Sequence, residues 1–95
     1  MKTAYEVAKE GGKHSGLLPQ LEHLGPNQLE KAIQSHRKTA DEHLRKLSDP
    51  SAVVADWGGR SERYRQGLLS KWQAEAENAL EQASIIEAYR NEKRN

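Results

Sequence analysis

Apolar positions recur at helical spacing through most of the chain. Between Gly25-Pro26 and Asp49-Pro50, Leu29, Ile33, His36, Ala40, His43 and Leu47 follow one another in alternating steps of four and three. That rhythm marks one face of a long helix. Pro26 suits the first helical position, where a missing N–H costs nothing, and Asp49-Pro50 closes the segment. A second stripe runs through Tyr64, Leu68, Trp72, Ala76, Ala79, Ala83, Ile86 and Tyr89, with Leu80 beside it. Ser61 is placed to cap that helix, and Gly67 or Ser70 to bend it. Thr3 to Glu10 predicts a short helix, because Thr3 and Glu6 have capping-box spacing and Gly11-Gly12 follows. Leu17, Leu18, Leu21 and Leu24 form a short apolar anchor around Pro19, and 50–59 reads as a loop. The tail 91–95 is expected to fray. The sequence predicts an all-α fold in one domain, 1–95. It is a small helical domain built on an antiparallel pair of long helices, with short N-terminal helices and Gly-rich loops over one end.

One stretch breaks the helical pattern. Gly11-Gly12-Lys13-His14-Ser15-Gly16 holds three glycines in six residues, too many for helix. Between them stand a cation, an imidazole and a hydroxyl, the side chains needed to hold a phosphate and move a proton beside it. Glycines also let backbone N–H groups approach an anion closely. A flexible turn with an ordinary surface histidine accounts for the same spacing. His23 has no motif around it and is assigned to the surface. His36 and His43 share a stripe with apolar residues, where boundary packing beside the core is the common role.

Composition adds bounds. Of the 95 residues only 35% are hydrophobic and none is Phe, so the core is thin. The absence of cysteine excludes disulfides and thiolate metal sites. No apolar run is long enough to span a membrane, and Met1 to Tyr5 carries no signal-peptide core. The formal net charge of +1 hides a gradient. Five Lys/Arg lie between Lys31 and Lys46 against Asp41 and Glu42. Arg60, Arg63, Arg65 and Lys71 face Glu62 alone, and from Glu75 to Glu92 five glutamates face Arg90. A basic middle beside two tryptophans and a tyrosine is compatible with nucleic acid; a solvated helix surface of mixed charge is the plainer explanation.

The order of these pieces resembles a known family. Gly11-Gly12-Lys13-His14-Ser15-Gly16, then Glu42-His43, Asp49-Pro50, Trp57, and Gln66-Gly67-Leu68 through Lys71-Trp72 are similar to the C-terminal toxin domains of polymorphic, contact-dependent growth inhibition proteins of the filamentous-haemagglutinin type. The resemblance implies an antibacterial domain, secreted as the end of a larger cell-surface protein and acting in the cytoplasm of a neighbouring bacterium. It also implies a dedicated immunity protein as partner. Many such domains are nucleases, often acting on tRNA. The free domain is expected to be a monomer.

A metal-independent ribonuclease needs a base for the ribose 2′-OH, an acid for the departing 5′-oxygen and a positive group at the charged phosphorane. His14 and His43 are the candidates for proton transfer, with no assignment of acid and base between them, and Lys13 and Lys71 for charge. Ser15, Arg37, Trp57, Tyr64 and Trp72 are the candidate RNA-binding residues, the aromatic ones by stacking on bases. No cofactor is expected. A metal-dependent DNase built on Asp41, Asp49 and Asp56 with His14 or His43 is the alternative enzyme, although no metal-ligand spacing is present. A Ser15 hydrolase lacks the strand-turn-helix context of a nucleophile elbow. The alternative of another class is a non-catalytic helical interaction domain.

Overall fold

The structure is a computed structural model and describes residues 1–94. Four α-helices are joined by short 3₁₀ turns, and the described residues contain no strand. Helix α1 spans Ala4–Lys9, α2 Leu18–Leu21, α3 Pro26–Ser48 and α4 Glu62–Arg94. The expected all-α architecture is what forms.

Each boundary has a local cause. Thr3 Oγ1 accepts from the Glu6 N–H, and the Glu6 carboxylate accepts from the Thr3 N–H, closing the capping box. The Thr3 N–H first, and the Thr3 hydroxyl second, hold the Glu6 carboxyl below its ordinary range. Gly11 ends α1 at φ 90°, a region that side chains disfavour. The Gly12 N–H then returns to the Val7 carbonyl at 2.9 Å. Pro26 starts α3, and the Gly25 N–H donates to Gln28 Oε1 at 2.9 Å. Ser61 Oγ accepts from the Tyr64 N–H at the start of α4.

Helices α3 and α4 run antiparallel, as their cross-pairs show. Glu30 meets Arg90, Arg37 meets Glu87, His43 meets Glu75, and Lys46 stands over Trp72. Numbers rise along α3 as they fall along α4. The seam between them is lined by Leu29, Ile33 and Ala40 from α3 and by Trp72, Ala76, Ala79, Ala83 and Ile86 from α4. The run of alanines lets the two backbones approach closely.

The main core lies toward the N-terminal cap. Ala8 and Leu21 close over Leu29, Ile33, Ile85 and Ile86. Leu21, Ile33, Ile85 and Ile86 are fully buried, each contributing about 1.5–3 kcal/mol by removal from water. Ile85 lies off the single stripe that the sequence suggests for α4. The upper half of α4 is covered twice, by α3 on one side and by α1 on another. Tyr64 and Leu80, placed on or beside that stripe, are exposed instead.

Helix α4 runs without a break through Gly67 and Ser70. Two expectations change. The helix continues through Arg94 rather than fraying at residue 91, and Asn95 falls outside the described residues. Its last turns are fastened: Tyr5 Oη donates to Glu92 at 2.5 Å, and Lys9 lies 3.7 Å from the same carboxylate. Burial, then that bond, raises the Tyr5 phenol to about 12. Finally, the two Gly-bearing loops do not share an end. The first packs against α4 at Glu81, and the second sits beside Trp72. Nine residues of helix separate them, about 13 Å.

A histidine furrow as the candidate active site

The glycine-rich loop is not open. Its last residues form a 3₁₀ turn, Ser15–Leu17, and His14 enters that turn in a left-handed conformation, φ 67° and ψ 14°. A non-glycine residue in that region is uncommon and marks a position worth attention. The turn folds His14 inward, leaving its side chain 15% exposed. Its Nε2 lies 3.1 Å from Glu81 Oε1, and Lys13 Nζ lies 2.8 Å from the same oxygen. The Lys13 bond first, and the His14 bond second, hold the Glu81 carboxyl below its ordinary range.

Gly12 is needed where it is, since a Cβ there would stand 2.7 Å from Val7 Cγ1. Gly16 is different: nothing lies within 4 Å of the Cβ it lacks, so packing does not require glycine there. Ser15, half-buried, follows His14 on the same turn.

A second trio of the same composition lies along the seam. His43 on α3 pairs through Nε2 with Glu75 on α4, and Lys71 Nζ is 3.9 Å from Glu75. His43 Nδ1 lies 2.8 Å from the Thr39 carbonyl, one turn back. A carbonyl only accepts, so Nδ1 donates. Nε2 faces the Glu75 carboxylate, so both ring nitrogens have partners within the protein.

His36 lines a hollow of about 410 Å³ together with Thr39, His43, Glu75, Asn78, Ala79 and Gln82. Lys13, His14 and Glu81 line a separate one of about 190 Å³. Burial, and secondarily the charge of His14, push the His36 imidazole below its ordinary value. His36 is thus near enough to His14 to feel its charge. His43 is seven residues further along α3, about 10 Å. The two hollows, with the lysine–glutamate–histidine trio that adjoins each, are together termed the furrow.

Other candidate residues fall elsewhere. Arg37 is turned about 100° round α3 from His36 and pairs with Glu87. Trp72 is 6% exposed, with Trp57 stacked on it at 6.0 Å between ring centres and Lys46 over it at 5.9 Å. Trp72 thus serves packing. Trp57 is half-buried, while Tyr64 is exposed with Arg60 over its ring.

The aspartates of the alternative site are dispersed. Asp41 lies with Arg37, Lys38 and Arg45 in a shallow hollow, Asp49 accepts from Ser51, and Asp56 precedes Trp57 in a left-handed turn. Among the described residues no three His, Asp or Glu side chains gather as metal ligands. Among the described residues no helix is long and apolar enough to cross a membrane.

Sequence reasoning did not single out Glu75, Glu81, Asn78 or Gln82. The glutamates stood out only as part of an acidic end. Their spacing against the histidines emerges once the antiparallel register of α3 and α4 is fixed. No family model, curated protein or solved structure matches the chain.

Proposed function

We propose that the chain is a metal-independent ribonuclease, and that the furrow is its active site. The carrying observation is the set of three imidazoles, two of them held on carboxylates beside lysines and the third, His36, lining the hollow with His43 and pushed below its ordinary value by burial and by the charge of His14.

The chemistry divides as follows. His36, neutral near pH 7, takes the proton from a ribose 2′-OH. The 2′-oxygen attacks phosphorus, and the bond from phosphorus to the 5′-oxygen breaks. His14 in its protonated form, aimed by Glu81, gives a proton to that oxygen. The products end in a 2′,3′-cyclic phosphate and a 5′-OH. Lys13 exchanges Glu81 for a phosphoryl oxygen and stabilises the charge that grows there. Lys71 and His43 hold a neighbouring phosphate, and Trp57 and Tyr64 offer faces for unpaired bases. The second imidazole of the reaction is thus His36 rather than His43, because both His43 nitrogens are engaged.

The biological setting follows from the family resemblance: an antibacterial toxin domain, delivered to a neighbouring cell and neutralised by a cognate immunity protein. The test is incubation of the purified chain with total RNA and with DNA, each with and without EDTA. Cleavage of RNA that survives EDTA supports the reading. Loss of cleavage with EDTA points to the metal-dependent nuclease. No cleavage of either polymer points to an interaction domain.

A further inference from the structure

A further cavity lies at the end of the molecule where α4 finishes and α3 begins. It measures about 540 Å³, within the range typical of small-molecule sites. Leu24, Leu29 and Tyr89 give it an apolar side. Arg90, Lys93 and Arg94 bring three cations to it, against Glu22. The first turn of α3 stands on the rim at Pro26 and carries no acidic side chain.

Among the described residues that line the cavity the charges do not cancel. Glu30 matches Arg90 through one terminal nitrogen. Lys93 and Arg94 then outnumber Glu22 by one. Arg90 is 19% exposed, and its Nε is buried without a hydrogen-bond partner, although buried donors are ordinarily satisfied. Lys93 lies 5.4 Å from the Tyr89 ring centre, which sets a charge beside an aromatic wall.

We infer that this cavity is a binding site for a small amphipathic anion, an apolar or aromatic body bearing one carboxylate or phosphate. The body rests on Leu24, Leu29 and Tyr89, and the anion meets Lys93 and Arg94 at the mouth and the guanidinium of Arg90. The site is independent of the ribonuclease reading.

The test is titration of the ¹⁵N-labelled chain, followed by amide shifts, with four probes below their micellar concentrations: decanoate, phenyl phosphate, decanol and decyltrimethylammonium. The expected result is saturable shifts around Leu24, Leu29, Tyr89 and Lys93 with at least one anion. Which anion binds tells a carboxylate on an alkyl chain from a phosphate on a ring. Decanol and the cation should bind at least tenfold more weakly. Lys93→Glu, at an exposed position, should weaken the anion at least tenfold with an unchanged CD spectrum. Arg90→Met should do the same, and Lys93→Glu covers the case in which loss of the Glu30 pair unfolds that variant. No saturable shift with either anion overturns the inference. So do equal binding of decanol or the cation, undiminished binding by Lys93→Glu, or shifts centred on His14 and His36.

Discussion

His14 is held by its backbone as much as by its ring. Its left-handed conformation turns the imidazole inward onto Glu81, where Lys13 already sits. Loss of a positioned proton donor or acceptor typically costs about 10²–10⁴-fold in rate. His14→Asn, which tolerates the left-handed region better than alanine, should lose cleavage on that scale and keep its melting temperature within a few degrees. His36→Gln should lose a similar factor, and His43→Gln should lose less. Cleavage assays at saturating RNA, beside thermal melts, give that ranking.

The pH dependence has a definite sign. The folded His36 value lies below that of the unfolded chain, so the unfolded state binds more protons between the two. Stability is therefore complete above the ordinary histidine value and falls as pH drops from 7 toward 5. His36→Gln should flatten that part of the curve in denaturant titrations at pH 7, 6 and 5. Glu81 acts lower down: its contribution is present above the ordinary carboxylate value and is lost as pH falls through its depressed folded value. Glu81→Gln should remove that share of the acid limb and leave the shares of Glu6, Glu30 and Glu92 in place.

At the scale of elements, the loop and the caps are separable by substitution. Gly11→Ala should cost about 1–2 kcal/mol, since φ 90° strains any side chain. Gly16→Ala should leave stability unchanged because its surroundings are open. Thr3→Ala removes the α1 cap and should cost about 0.5–2 kcal/mol. Equilibrium unfolding in urea reads all three. These elements were legible in the sequence because their signals are local: Thr3 with Glu6, Gly25-Pro26, Asp49-Pro50 and Ser61 all act within one turn of helix. The helical tail was not legible, because Tyr5 fastens Glu92 from the other end of the chain. Ile85 escaped for a similar reason, since a single stripe describes a helix covered on one side and α4 is covered on two.

For the molecule as a whole, the decisive fact is the register of α3 against α4. It places Glu75 opposite His43, sends Arg37 to Glu87, and sets His36 in one hollow with His43, Asn78 and Gln82. No single stretch of sequence carries that information. The loop could be recognised as chemistry-bearing from its composition, but its carboxylate partner at Glu81 lies 67 residues away. The core is concentrated near the N-terminal cap, while the opposite end rests on Trp57 and Trp72. Trp72→Ala should cost about 3–5 kcal/mol in the same urea experiment. Lysine and arginine contacts to RNA also make binding depend on counterion release, so affinity should fall steeply between 50 and 200 mM salt.

The most direct measurement is the cleavage rate of a defined single-stranded RNA in EDTA by the wild-type chain and by folded His14→Asn, with the product ends identified. The expected result is wild-type cleavage to 2′,3′-cyclic phosphate and 5′-OH ends, and a loss of about 10²-fold or more in the variant. Equal rates for the two proteins, or 3′-OH ends, would contradict a reaction centred on His14.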